Sequence, residues 1–286
     1  MGLSFAALAI FAWGVGDFLI QRSARKLGDW EALFFITLFA AIVLYPFVYS
    51  SLALYSAFEW LVLVLTSFVI FVAGLLDFDA LRVGKISAVE PIYALEVPIT
   101  LALTTFVLGE RVTALQFALI LILLAGIFLV SNKHLGSVRF KSLERGVWTA
   151  FFATIGMGVS NFLFGFGARA TDPLMINWFT SAFMAASCFI YLAYVGELHK
   201  LLVHLRHNKT LIISVSIADN LAWVAYSTSV LYMPIGIAIG LSESYIALAA
   251  VLGLAINKER LRVHQKAGIL IVVGAAMALA YTIGDA

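Results

Sequence analysis

Seven of the 16 acidic residues fall inside long apolar runs, apart from Glu31 and Glu59 at the first position of two of them: Asp17, Asp77, Asp79, Glu90, Glu96, Asp219 and Glu243. None of the 18 Lys and Arg residues lies well inside such a run; Arg82, Lys85 and Arg169 sit at run ends. An acid at the centre of a membrane helix costs about 2.5–3.5 kcal/mol on insertion scales, so it faces protein or water and marks a functional candidate. Glu96, Asp219 and Glu243 are the deepest; the others lie nearer a run end. The chemistry such a set offers is the binding of a cation, the carriage of protons, or both. Desolvation disfavours the charged form of a carboxylate, which makes Glu96 apt for proton exchange. Glu96 and Asp219 are the leading candidates, followed by Asp17 and Glu243. Asp79 has a structural explanation, since Arg82 follows at i+3 and can pair with it. Asp77 is turned about 160° away from Asp79 on a helix, so at most one of the two points squarely into a cavity.

Helical spacing groups these acids with other polar and aromatic residues. Asp219, Trp223 and Tyr226 fall at i, i+4 and i+7, on one face, where an acid beside aromatic rings suits an organic cation; ordinary packing of the two rings is the alternative. Tyr93, Glu96, Thr100 and Thr104 form a second stripe, and Trp13 with Asp17 a third. Gly236, Gly240 and Glu243 share a side, which the glycines serve equally well by permitting close helix approach. Pro91 and Pro98 each remove a backbone donor; Pro98 would free the carbonyl of Ala94. Both are hinge candidates, with a static kink as the alternative. Other chemistry is missing from the sequence. His134, His199, His204, His207 and His264 all lie in predicted loops, where the basic residues act as topology determinants near anionic lipid. There is no HExxH, no phosphate-binding glycine loop and no CxxC, and Cys188 reads as packing. No metal or cofactor is expected, and the acid-dominated site offers no fixed cation for an anionic substrate.

The elements that must position these groups follow from composition. Of 286 residues, 63% are hydrophobic and 12% charged, against roughly 45–50% and about 25% in a soluble domain. This excludes a soluble enzyme, a nucleic-acid binder and a disordered chain. Ten runs approach the roughly 20 apolar residues that a spanning helix needs: 2–21, 31–50, 59–81, 86–108, 112–131, 146–168, 173–195, 210–232, 235–256 and 266–283. Each is expected to be helical throughout, since lipid satisfies no backbone groups. The runs are too long and continuous for barrel strands. The first is read as a helix, not a cleaved signal peptide. The expectation is an all-α integral membrane protein with no extramembrane domain.

The polar stretch from Ser131 to Arg145 splits the ten helices into five and five, and the halves share residues. A shift of 144 aligns Gly14 with Gly158, Val15 with Val159, Asp17 with Asn161, Phe18 with Phe162, Arg25 with Arg169 and Phe35 with Phe179. A shift of 149 aligns Gly109–Glu110–Arg111 with Lys258–Glu259–Arg260, and Gln116 with Gln265. Two repeats are therefore expected, over 1–135 and 136–286. An odd number of helices per repeat inverts the second relative to the first, which places a site near the midplane between them. Of the 18 bases, 16 fall in loops after odd-numbered helices, counting Lys266 at the edge of the last. Those loops are then cytoplasmic, with both termini outside, in the cell (inner or plasma) membrane.

With these features the sequence resembles the EamA family of the drug/metabolite transporter superfamily. The resemblance rests on the two five-helix halves, Trp13-Gly14, LEVPITLALTTFVLGER from Leu95 to Arg111, and the GER and KER segments. The chain departs from the family pattern where Val97 separates Glu96 from Pro98. Within the second half, Tyr245 stands in place of Glu96, and Asn257-Lys258 in place of Leu108-Gly109. The resemblance implies secondary transport, often export. It also implies a central cavity lined by helices 1, 3, 4, 6, 8 and 9, with helices 5 and 10 outside. The expected function is alternating-access transport of a small organic metabolite, cationic or zwitterionic, with possible proton coupling; a monomer suffices. An intramembrane aspartyl-type enzyme would need two facing carboxylates, and the Gly-x-Gly-Asp type of motif is missing. A non-transporting scaffold would leave the costly acids unexplained.

Overall fold

A computed structural model describes residues 1–83, 92–93, 95–131, 145–246, 248 and 262–284. Lys85, Glu90, Pro91, Ala94, His134, the segment from Asn257 to Arg260 and the expected repeat boundary at 135 lie outside the described residues. Among the described residues ten helices are found: α1 Gly2–Leu27, α2 Asp29–Val48, α3 Ala57–Val83, α4 Glu96–Leu108, α5 Ala114–Ser131, α6 Arg145–Ala170, α7 Pro173–Tyr194, α8 Leu198–Ser229, α9 Ile235–Ser242 and α10 Val263–Gly284. No strand occurs among the described residues. Among the described residues seven helices (α1, α2, α3, α6, α7, α8 and α10) are long and apolar enough to cross a membrane.

Local chemistry sets several boundaries. Gly28, at φ +105°, is the whole connection between α1 and α2. A side chain there would be strained and would collide with the Glu31 carboxylate, 2.4 Å from an ideal Cβ. Gly109 closes α4 in the left-handed conformation at φ +67°. Asp172 caps α7 by accepting from the Leu174 and Met175 N–H groups at 2.8 and 2.9 Å, with Pro173 at the first helical position. The matched glutamines have matched work. Gln116 accepts from the Thr113 N–H at 3.0 Å at the start of α5, and Gln265 accepts from the Arg262 N–H at 3.1 Å at the start of α10. Both are N-terminal capping bonds, and Thr113 and Arg262 are themselves 149 residues apart.

The helices pack across the halves more than within them. The main partnerships are α3 with α6, α1 with α8, α2 with α7 and α5 with α10. Exchanging the first five helices with the last five turns α3–α6 into α8–α1, and leaves α2–α7 and α5–α10 unchanged. The contacts obey the exchange at atomic detail. A Cβ on Gly158 would stand 2.7 Å from Ile99, and one on Gly14 would stand 2.9 Å from Leu248. Gly14 and Gly158 differ by 144, Ile99 and Leu248 by 149, the same two shifts that align the halves in sequence.

Three expected spans differ. The expected 86–108 helix has a turn at Leu95, and α4 begins at Glu96. The expected 235–256 helix stops at Ser242, with a turn at Glu243–Ser244. Glu96 and Glu243 thus stand at helix breaks rather than inside continuous helices. A broken helix is tolerated at membrane depth where its backbone faces protein or a polar cavity. Pro98 accordingly falls in the first turn of α4, where its missing N–H leaves no helical bond unmade. Finally, α8 begins at Leu198 rather than 210, and Asn208 interrupts it with non-helical φ −126°, ψ 21°.

Candidate functional site

A cavity opens between the halves, and five of the seven acids line it: Asp17 from α1, Asp77 from α3, Glu96 from α4, Asp219 from α8 and Glu243 from the turn after α9. Glu96 and Glu243 are buried and the other three half-buried. No Lys, Arg or His is found among the described residues of the lining. Asp79 stays out of the cavity. Arg82 Nη2 meets its Oδ1 at 2.7 Å, while Arg82 Nε reaches both Asp29 oxygens at 2.9 and 2.8 Å, so Arg82 ties the end of α3 to the start of α2.

The best-defined acid is Glu96. Asn161 Nδ2 donates to its Oε2 at 3.1 Å. Asn161 is held in turn, because Tyr226 Oη donates to the Asn161 carbonyl at 3.0 Å. One turn earlier, Gly158 lets α4 and α6 approach, and Thr100 Oγ1 donates to the Gly158 carbonyl at 2.9 Å. Thr100 and Thr104 on the expected α4 stripe are fully buried and serve this packing. Gly236 plays a similar part between α4 and α9, where a Cβ would lie 2.6 Å from Leu101. Tyr93 lines the cavity and its hydroxyl donates to the Asp77 backbone carbonyl at 3.4 Å.

Aromatic rings form a second wall. Trp13 meets Trp223 edge-on at 5.3 Å between centroids, Tyr226 at 5.7 Å and Tyr245 at 6.1 Å. Phe164 backs Trp223 at 4.7 Å. Trp13, Trp223, Tyr245 and Phe164 line the cavity. Tyr226 was expected to line it and does not: it is fully buried behind Trp13 and Trp223 and acts through its bond to Asn161.

Helices α2 and α7 also contribute lining, which the family resemblance did not imply; α5 and α10 contribute none among the described residues. From α7 come Asn177, Thr180, Ser181 and Met184, spaced i, i+3, i+4 and i+7. That largely polar helical stripe is written in the sequence, but it lacks the charge that marks the acidic lining residues. Asn177 Nδ2 donates to Ser227 Oγ at 2.7 Å, fixing α7 against α8. Asn220 lies beside Asp219 and donates to the Ile36 and Ser216 carbonyls at 3.0 and 2.8 Å, anchoring α8 to α2.

Chemically, five carboxylates at close quarters and without a lining base repel one another in a medium of low dielectric. A bound cation, or protons on some of the carboxylates, relieves that repulsion. The aromatic wall adds cation–π attraction for an organic cation. Among the described residues no group of three or more His, Cys, Asp or Glu is arranged to hold a metal ion.

At the end of the molecule away from the basic loops, polar contacts tie the elements together. Arg169, in the last turn of α6, bonds Glu110 Oε1 at 2.6 Å, the Val230 carbonyl at 2.8 Å and the Met233 carbonyl at 2.8 Å. The same Glu110 oxygen accepts the Ile235 N–H at 3.2 Å. Nearby in sequence, Tyr55 Oη donates to Asp172 Oδ2 at 2.5 Å. Burial and the bond to that carboxylate push the Tyr55 hydroxyl up to about 12.

Among curated proteins no sequence matches the chain. A solved crystal structure superposes on it with a TM-score of 0.70, over 98% of this chain and 96% of that chain, at 16% identity. That likeness establishes a shared fold from end to end, and the fold alone. The family model of the EamA-like transporters matches residues 1–132, the half that contributes Trp13, Asp17, Asp77 and Glu96. Over that half this integral membrane chain is similar to the EamA-like transporter family.

Proposed function

We propose that the protein is a secondary transporter of a small organic cation or zwitterion, working by alternating access between two inverted halves. The observation that carries this reading is the cavity itself: five acids from five elements, an aromatic wall, and no base among the described lining residues. Glu96 and Asp219 bind the cationic group or exchange protons for it, with Asp17, Glu243 and Asp77 completing the acidic set. Trp13, Trp223 and Tyr93 enclose the substrate, Asn161 orients Glu96, and Tyr226 holds Asn161. The paired helix breaks at Glu96 and Glu243 support a site at the fourth helix of each half, as interrupted helices do in repeat-built transporters. Pro98, at the start of α4, and Pro91 are the hinge candidates of the first half.

The matched contacts of Gly158 with Ile99 and of Gly14 with Leu248 support the repeat. With the basic loops in the cytoplasm and both termini outside, the Arg169 and Tyr55 contacts close the outer face, and the chain exports its substrate across the cell membrane. A monomer contains the complete cavity.

The test is uptake into proteoliposomes under an imposed pH gradient, using a panel of small organic cations, zwitterions and anions. Saturable transport of cations or zwitterions is expected, abolished in Glu96→Gln and Asp219→Asn. Transport of anions, or pH-driven transport intact in both variants, would overturn the assignment.

A further inference from the structure

The interruption of α8 at Asn208 divides it into a spanning part and a short arm. Residues 210–229 cover roughly 30 Å at about 1.5 Å per residue, which fills a hydrocarbon core of about 30 Å. The arm, Leu198–His207, therefore lies beyond the hydrophobic slab.

Its sequence is amphipathic. Leu198, Leu201, Leu202 and Leu205 fall at i, i+3, i+4 and i+7, the stripe of an amphipathic helix. Val203 is the one apolar residue off that stripe. The stripe is only half used inside the protein. Leu198 and Leu201 pack against the core, while Leu202 and Leu205 are 64% and 42% exposed. Tyr194, at the end of α7 just before the arm, is 88% exposed and is a residue type enriched at the membrane–water interface. Lys200 pairs locally with Glu197. Arg206 and Lys209 are exposed and make no ion pair among the described residues.

We propose that Leu198–His207 is an interfacial helix that seats Leu202 and Leu205 in the cytoplasmic leaflet and binds anionic phospholipid headgroups through Arg206 and Lys209. Arg206, about 40° round the helix from Leu202, flanks the leucine face, and Lys209 follows just past the break, so both bases stand at the headgroup level of a helix lying in the interface plane. Each base near an anionic surface strengthens attachment about fivefold. The assignment of this face to the cytoplasm rests on the orientation proposed above; binding to anionic lipid does not.

The test uses the full chain in nanodiscs of phosphatidylcholine, with and without phosphatidylglycerol, and a nitroxide at position 202, 205 or 207 in a Cys188→Ala background. A label at the buried Leu201 reports whether the arm stays folded. We expect labels at 202 and 205 to collide several-fold more with oxygen than with an aqueous nickel chelate, and the label at 207 to show the reverse. We also expect the arm labels to gain mobility when phosphatidylglycerol is omitted or when Arg206→Gln and Lys209→Gln are introduced. Aqueous exposure at 202 and 205 would overturn the seating. Indifference to both lipid charge and the two substitutions would overturn headgroup binding. Spin–spin broadening at 202 in discs holding two copies would instead make the stripe a contact between copies and overturn the proposal. None of these readouts depends on transport or on orientation in the cell, so their failure is distinct from failure of the transporter reading.

Discussion

Replacing Arg169 with Gln should open the face of the protein opposite the basic loops. One guanidinium joins α6 to Glu110 beyond α4 and to two carbonyls of the turn between α8 and α9. A hydrogen bond to a charged group contributes about 1.5–3 kcal/mol, but three such bonds from one side chain are not additive. The side chains of Arg169 and Glu110 are 33% and 11% exposed, so solvent screens part of the attraction. A glutamine amide recovers one of the carbonyl contacts. These corrections leave a net loss of about 2–4 kcal/mol, equivalent to roughly 30- to 1,000-fold in the closed-to-open ratio. The assay places a reporter cysteine at Ser181, which lines the cavity, in a Cys188→Ala background. The rate of modification by a membrane-impermeant thiol reagent is then measured from each side of sealed vesicles. In Arg169→Gln the rate should rise at least tenfold from the side opposite the basic loops and stay the same from the other. Charge exchange, Arg169→Glu with Glu110→Arg, should restore part of the protection. An unchanged rate accompanied by a drop in unfolding temperature would refute the reasoning, because the contacts would then hold the fold rather than a gate.

Other substitutions test the packing that positions the site. Gly158→Ala should lower stability by about 1–3 kcal/mol, because the new Cβ meets Ile99 at 2.7 Å and the Glu96 carbonyl at 3.2 Å. Gly14→Ala should cost less, since its nearest neighbour is the flexible end of Leu248; equal unfolding temperatures in detergent would contradict this ranking. Asn161→Ala removes the donor to Glu96, and a double-mutant cycle with Glu96→Gln should show a coupling of about 0.5–3 kcal/mol, where additive losses would deny the bond. Tyr55 holds its proton more tightly in the folded state, so its contribution is full below the ordinary value of about 10 and lost as pH climbs through about 12. The stability gap between the wild type and Tyr55→Phe should therefore close over that window, and a gap that persists above it would refute the assignment.

The sequence carried the pairing of halves further than its sparse matches suggest. Gln116 and Gln265 were aligned by a shift alone, and both cap the helix that follows. Gly14 and Gly158 were aligned by another shift; Gly158 receives Ile99 from α4, and Gly14 receives Leu248 from beyond the turn that ends α9. Those matches were legible because capping and close approach demand particular residue types. The acids were legible for a different reason: a carboxylate in an apolar run is costly anywhere but in a polar cavity. Position within a run was a poorer guide. Asp17 and Asp77, near run ends, reach the same cavity as Asp219.

Pro91 and Pro98 marked the fourth helix for a hinge or kink, and the turn at Leu95 falls between them, but the break at Glu243–Ser244 was not legible, because hydropathy sums side chains and an interrupted helix keeps the same side chains as a continuous one. The two breaks nonetheless distinguish the two glutamates from each other. Glu96 is the first residue of α4, where backbone N–H groups lack helical partners. Glu243 lies in the turn after α9, with Tyr245 and Ile246 helical again just beyond it. This difference in helix context predicts that Glu96→Gln and Glu243→Gln will not be equivalent. Glu96→Gln should lose cation binding itself, measured as the affinity for a saturable substrate, whereas Glu243→Gln should retain binding and lose its dependence on pH. Identical losses in both variants would show that helix termini do not set their roles.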